Sequence, residues 1–323
     1  MPKISIITTT YKHQDFIVHT IESVLAQTYT DWELLIGDDS PDNATWNIIK
    51  EYVNKYPDKI KAWHHSPNKG IVDNMNFLIS QTSPDSDYIS FLEWDDMYTP
   101  DNLEEKMKFF KEYPEVKLVY SDLSFIDKDN NIILNSFFKY RSIPFYKNTT
   151  IPRDKFILAW AWPIASRSTS MIHKDALNID RIRTLNPDNK TYSVSDYDLY
   201  FQITNTNKVY GINKSLTQYR RHSNNLSGAS GGTSADLELL INDYKKNNLI
   251  NNALYNKKMS WIYIVYAVFS LESWNGTKAR KELLISISHS FFSFPLWKIW
   301  IIWLLILPKR LSKIILDKLI KRG

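Results

Sequence analysis

Over the first hundred residues, short β-branched runs alternate with segments of helical periodicity. Ile4 to Thr8 predicts a buried strand. From Asp15 to Gln27 the apolar set Phe16/Ile17, Ile21 and Val24/Leu25 recurs at helical spacing, and Trp32 to Gly37 reads as a second strand. Residues 42–55 place Trp46, Ile49 and Val53 on one helical stripe. A weaker strand follows at Ile60 to His64, then a helix over 71–82 with Met75, Leu78 and Ile79 inward, then a strand from Tyr88 to Leu92. Thr99-Pro100-Asp101 predicts the opening of a helix, with a cap, a proline at the first position and acid in the first turn. Val116 to Ser121 adds a strand, and Asp127-Lys128-Asp129-Asn130-Asn131 predicts a hairpin turn. Strands that alternate with helices imply right-handed crossovers, hence an α/β fold with a mostly parallel sheet.

Residues 137–190 read as irregular, broken by Pro144, Pro152, Pro163 and Pro187. A helix is expected from Ser195-Asp196 to about Asn207, then a short strand at Val209 to Ile212. Beyond the glycine-rich stretch 228–232 the pattern turns helical at 234–250, 260–271 and 291–307, ahead of a basic tail. The expected organisation is one domain over 1–227, with halves of about 1–125 and 126–227, and a helical extension over 228–323.

In parallel sheets of this kind the ligand site lies beyond the carboxyl ends of the strands. Those ends carry Thr9-Thr10-Tyr11, Asp38-Asp39-Ser40 and Glu93-Trp94-Asp95-Asp96. Carboxylates at two of three ends suit a divalent cation and a hydroxyl-rich ligand. Dinucleotide binding is disfavoured, because no glycine-rich turn follows the first strand. Each acid has a plainer reading beside this one: Asp95-Asp96 as a turn before Thr99-Pro100, and Asp196 as an acid at a helix N-terminus. Trp160 and Trp162 fit either stacking on a sugar ring or ordinary packing.

Composition sharpens this picture in two ways. The 323 residues are 43% hydrophobic and contain no cysteine, so the chain can build a core but holds no disulfide and no thiolate-bound metal. Any metal must be held by carboxylate, imidazole or water, and a reducing compartment is permitted. No leader peptide is read at the N-terminus.

The net charge of +5 is the second. Lys309, Arg310, Lys313, Lys318, Lys321 and Arg322 stand against Asp317 alone in residues 308–323, which accounts for the whole excess. The body is balanced, so a nucleic-acid partner is not expected. If helical, 291–307 rises about 26 Å, short of the roughly 30 Å hydrocarbon core. Trp297, Trp300 and Trp303 would form an aromatic edge suited to headgroups. Leu311, Ile314, Ile315 and Leu319 share a face opposite the cations, the pattern of an in-plane helix drawn to an anionic membrane surface. The competing reading is a terminal helix packed on the domain.

The ordered motifs resemble the inverting family 2 glycosyltransferases of the GT-A fold, over roughly residues 2–227. The resemblance rests on Ser23-Val24-Leu25-Ala26-Gln27-Thr28-Tyr29, then Trp32 to Ser40, Asn68-Lys69-Gly70, Phe91 to Asp96 as the DxD segment, Ser195-Asp196, and Tyr219-Arg220-Arg221-His222. It implies a mixed Rossmann-like sheet and a metal-dependent transfer from a nucleotide-diphosphate sugar, with UDP the expected nucleotide. The acceptor would be a glycan or lipid-linked hydroxyl in cell-surface polysaccharide synthesis, at the cytoplasmic face of the membrane. By resemblance, Thr9, Tyr11, Asp38, Asp39, Asn68 and Asp95 would contact the nucleotide. Glu93, Asp95, Asp96 and His222 would surround Mg²⁺ or Mn²⁺, and Asp196 would be the general base. The sequence departs from the family pattern at Thr9, Lys12, Glu93 and Ser195, which stand for Pro, Asn, Asp and Glu. Two alternatives are a non-catalytic nucleotide-sugar-binding scaffold and a processive synthase. The latter is disfavoured because Gln218-Tyr219-Arg220 leads to Arg221-His222 and not to the Gln-x-x-Arg-Trp motif.

Overall fold

The computed structural model describes residues 2–159, 164–177, 194–222, 230–272 and 276–289. The chain divides into two compact units, 1–225 and 226–323.

The first unit opens with β1 (Lys3–Thr10), α1 (Ile17–Leu25), β2 (Trp32–Asp38), α2 (Ala44–Lys55), β3 (Ile60–His64), α3 (Ile71–Ser80) and β4 (Ser86–Phe91). β1 pairs in parallel with β2 and β4, and β2 with β3. Ile4, Ile6, Leu34 and Ile36 have no exposed surface. Helices cover both faces of such strands, which is why these read as apolar runs and not as alternating ones. Gly37 is required by close packing: a Cβ there would stand 1.8 Å from the Asn74 side-chain oxygen. Asn74 Nδ2 in turn donates to the Gly37 carbonyl at 2.9 Å, seating α3 on β2.

After β5 (Met97–Tyr98) come α4 (Asn102–Glu112), β6 (Val116–Ile126), β7 (Ile132–Leu134), α5 (Phe137–Arg141), β8 (Lys147–Thr149) and α6 (Arg153–Leu158). β9 (Ser170–His173), α7 (Ser195–Thr206) and β10 (Lys208–Arg220) complete the unit. Along the sheet the order is β3-β2-β1-β4-β9-β6-β10-β5, with β7 beside β6 and β8 beside β10.

The sheet is mixed, as the resemblance implies, because β9 runs antiparallel between β4 and β6. Three other expectations are corrected in this unit. The stretch 137–190 is not irregular throughout, since it supplies a strand to the middle of the sheet. β10 extends far beyond Ile212, shifting register between Ile212 and Thr217 against β6. The helix expected to open at Thr99 begins at Asn102, after Thr99 Oγ1 donates to Asp101 Oδ1 at 2.8 Å. The hairpin turn at Asp127 to Asn131 is present, closed by Asp127 N–H donating to Asn131 O.

The second unit contains α8 (Ser230–Lys246), α9 (Asn252–Glu272) and α10 (Gly276–His289). α9 starts before the expected 260, and α10 falls outside the expected helical segments. Ile264, Ala267 and Leu283 form an apolar cluster. Buried Ser270 donates to Glu282 at 2.6 Å. Among the described residues no helix is long and apolar enough to cross a membrane. The segments 291–307 and 308–323 lie outside the described residues.

Candidate functional site

The carboxyl ends of β1, β2 and β3 are tied into one surface by backbone groups. Asp39 N–H donates to Thr10 O, and His65 N–H to Asp38 O. Lys12, at φ 59°, donates its N–H to Ser40 Oγ at 2.7 Å. Thr9 is half-buried at this edge and Tyr11 is 43% exposed. Asp39 Oδ1 accepts the Lys69 N–H at 3.2 Å, and Asn68 Nδ2 donates to Asp39 O at 3.3 Å. Asn68 Oδ1 accepts the N–H of Gly70, whose φ of 81° favours glycine. The Asn-x-Gly motif is thus a loop folded onto Asp39.

Asp38, expected to meet the nucleotide, is fully buried. Its Oδ1 accepts from Ser40 N–H and Oγ–H at 3.1 and 2.6 Å, and its Oδ2 lies 2.9 Å from His64 Nδ1. With both oxygens engaged inside the protein, it braces the loop that presents Asp39.

The acidic loop after β4 is held from several directions. On α1, Thr20 Oγ1 reaches the carbonyls of Trp94 and Asp96 at 2.8 and 2.9 Å. Ser23 Oγ accepts from Tyr98 N–H, and Gln27 bridges Thr99 O and Leu103 N–H. These three polar residues recur at helical spacing on a buried face. The spacing is present in the sequence, but polar residues on a helix do not by themselves reveal what they hold. From β10, Arg220 N–H donates to Asp96 Oδ1 at 3.1 Å and Arg220 Nε to Asp95 O at 2.8 Å.

Asp96 has no exposed surface, and its Oδ2 accepts from Ser168 Oγ at 2.5 Å. Burial and the neighbouring Asp95 push its carboxyl well above the usual carboxylate range. Asp96, expected to reach a cation, thus has one oxygen accepting from Ser168 and the other from the Arg220 N–H. Glu93 is paired with Arg167, Nε to Oε1 at 2.6 Å. Asp95 differs, since its Oδ2 lies 3.0 Å from His222 Nε2 with both side chains 9% exposed. Burial raises Asp95 to about 6 against the pull of His222. Rings of Phe16 and Trp94 flank His222. His13 stacks on Trp94, and burial with the His222 charge lowers its imidazole to about 3, leaving it neutral. Among the described residues, no group of three or more His, Asp or Glu is arranged to hold a metal ion.

Asp196 sits in the first turn of α7, half-buried, with Oδ1 accepting the Tyr197 N–H at 2.8 Å. Burial pushes its carboxyl up to about 6, opposed by the charge of Arg167 and reinforced by that of Glu93. Arg167 is not among the expected site residues. It lies outside every motif, and a lone arginine in a serine-rich stretch gives no periodic signal. Trp160 and Trp162 lie outside the described residues.

The profile of the family described as "Glycosyl transferase family 2" matches residues 5–179, more than half of the chain. The chain is 31% identical over 127 residues to EpsE of Bacillus subtilis (strain 168), covering 39% of this chain and 45% of EpsE. It is 24% identical over 282 residues to TuaG of the same organism, a protein named for teichuronic acid biosynthesis, covering 82% of this chain and 95% of TuaG. Among solved structures, S. aureus TarS 1–349 in complex with UDP-GlcNAc superposes with a TM-score of 0.59 at 14% identity, covering 89% of this chain and 91% of that one. The matched stretch is less than half the length of EpsE, while TuaG and TarS 1–349 are matched almost end to end. With the family match spanning β1 to β9 and the acidic loop inside it, this chain belongs to glycosyl transferase family 2.

Proposed function

We propose that this chain transfers a sugar from a UDP-sugar to a hydroxyl of a glycan or lipid-linked acceptor, with inversion, in cell-surface polysaccharide synthesis. The observation that carries the reading is Asp196: a single carboxylate tuned to about 6, beside the Glu93–Arg167 pair of the acidic loop. A base is most effective when its pKa lies near the working pH, where it contributes about 10²–10⁴-fold. Asp196 takes the proton of the acceptor hydroxyl as the acceptor's oxygen bonds to the anomeric carbon. The bond from that carbon to the diphosphate breaks, and the electron pair leaves with UDP. One base suffices for attack from the face opposite the leaving group, so no nucleophilic carboxylate is needed. Asp39, Asn68, Thr9 and Tyr11 form the surface on which the nucleoside would rest.

Asp95 and His222 fit a Mg²⁺ or Mn²⁺ ion, which when bound neutralises charge on the leaving diphosphate. Their facing oxygen and nitrogen are 3.0 Å apart, and magnesium commonly takes few protein ligands and completes its shell with phosphate and water. The donor class draws support from TarS, whose solved complexes hold UDP-GlcNAc and UDP. The acceptor class draws support from TuaG. The basic segment 308–323 supports a reaction at the cytoplasmic membrane surface.

Thermal shifts with UDP-, GDP- and dTDP-sugars, each with and without Mn²⁺, test the donor. Stabilisation by a UDP-sugar that deepens with Mn²⁺, followed by UDP release with acceptor, is the expected result. Stabilisation by none of them would overturn the donor site, and binding without turnover by any acceptor would favour a non-catalytic scaffold.

A further inference from the structure

Between the acidic loop and α7 stands one turn, Ser166–Ser170, which no sequence motif marks. Its residues reach Glu93 and Asp96 of the acidic loop and Tyr200 of α7. Arg167 Nε donates to Glu93 Oε1 at 2.6 Å, with the two side chains only 12% and 20% exposed. Ser168 Oγ accepts the Glu93 N–H at 3.0 Å and donates to Asp96 Oδ2, so one hydroxyl closes the loop at both ends. The Ser168 carbonyl accepts from Thr217 Oγ1 at 2.8 Å, which anchors the turn to β10. On the other side, Ser170 Oγ and Tyr200 Oη are 2.7 Å apart. Tyr200 follows Asp196 by four residues on α7, so the two share a helix face. The contact that fixes Tyr200 therefore fixes the face that carries the base.

We propose that this turn sets the spacing between the donor's acidic loop and the base, and that Arg167 is its positioning residue, gripping Glu93 while offering Asp196 a fixed counter-charge. The inference rests on the transfer reaction proposed above. Arginine suits the place for two reasons. Its charge persists at every working pH, and its planar fork can engage Glu93 through Nε while the remaining N–H groups face elsewhere. Among the described residues, the charged and titratable groups that act on Asp196 include Arg167 from the turn, Glu93 from the acidic loop, and Tyr197 and Tyr200 from its own helix. Arg167 lowers the Asp196 carboxyl and Glu93 raises it, so the residue that orients Glu93 also balances its influence on the base.

Substitutions Arg167→Ala and Arg167→Lys in the full chain test this. The first measurement is a ¹³C carboxyl NMR titration without any ligand, with the Asp196 signal assigned through Asp196→Asn. Loss of an adjacent guanidinium should move the Asp196 midpoint upward by about one pH unit or more in Arg167→Ala, and by less in Arg167→Lys, which keeps the charge. The second is UDP release from the UDP-sugar that stabilises the wild type. There kcat should fall at least tenfold in Arg167→Ala with KM changed little, and its acid limb should move to higher pH; Arg167→Lys should recover part of kcat. An unmoved midpoint in a folded Arg167→Ala protein, or a rate loss equal at every pH, would overturn the positioning role. If Arg167→Ala fails to fold, Arg167→Lys decides: wild-type kcat and midpoint would sink the need for the fork. Because the titration uses no donor, failure to find a donor would count against the transfer reaction and leave this test standing.

Discussion

Removing the charge of the base should stabilise the protein while ending its activity. Asp196→Asn keeps the side-chain oxygen that accepts the Tyr197 N–H, so the helix start is preserved. What it removes is an anion whose folded-state pKa is raised from 3.8 to about 6, chiefly by burial. Every tenfold weakening of a carboxyl's acidity corresponds to about 1.36 kcal/mol, which sets an upper bound of about 3 kcal/mol on the cost of ionising Asp196 in the fold. The sign follows from proton linkage. Between the two pKa values the folded state binds more protons than the unfolded chain, so this carboxyl's contribution to stability falls as pH rises. Below about pH 4 the group is neutral in both states, and wild type and variant should be equally stable. The difference should open between about pH 4 and 6 and level off above about pH 7, with the variant ahead by roughly 1–3 kcal/mol. For a domain of this size that is roughly 2–4 °C in Tm for each kcal/mol. Thermal melts of both proteins from about pH 5 to pH 8, alongside UDP release near neutral pH, give the answer. A variant less stable than wild type at the alkaline end, or a gap that does not change with pH, would refute the assignment of Asp196 as a costly, half-buried anion. Retained transfer would refute its role as the base.

The acidic loop should depend on α1: Thr20→Val leaves the carbonyls of Trp94 and Asp96 without their shared donor, and should cost about 1–3 kcal/mol in denaturant unfolding and weaken UDP binding in the presence of Mn²⁺. Gly37→Ala drives a methyl into Asn74 and should destabilise by about 1–3 kcal/mol, whereas pairing it with Asn74→Ala should recover part of the loss in the same unfolding assay. Deleting 308–323 should abolish sedimentation with vesicles of anionic lipid, leaving binding of UDP measured by calorimetry unchanged.

The parallel half of the sheet is legible in the sequence because its strands are buried on both faces. Ile4 to Ile7 and Leu34 to Ile36 are continuous or nearly continuous apolar runs, and the helices between them keep a clear stripe. β9 is not legible, for it is four residues long and begins with a serine, and its place depends wholly on two partners distant in the chain. β10 reads as ending at Ile212 because Asn213 and Lys214 are polar and exposed. The register shift lets the strand pass that point and carry Arg220 to the acidic loop. Arg167 escapes notice for a related reason: its meaning lies in Glu93, and the contact spans a sequence separation that no local pattern encodes.

The two acid pairs share a logic that explains why the sequence locates them but does not assign their members. Successive side chains of an extended segment point to opposite sides. Of Asp38 and Asp39, one must therefore turn inward at the end of β2; Asp38 does, where His64 and Ser40 engage both its oxygens. Asp95 and Asp96 lie instead in a turn, closed by the Asp96 N–H on the Glu93 carbonyl; there Asp96 turns inward to Ser168 and the Arg220 N–H, while Asp95 meets His222. All four acids are buried, and in each pair the one bonded inward acts as a brace for the backbone that presents its neighbour. Replacing the brace would thus be expected to disturb ligand binding through the loop and not through a lost contact. In the proposed donor site a carboxylate beside a diphosphate would not rely on solvent to hold it, and the adjacent carboxylate, bonded inward, would do so.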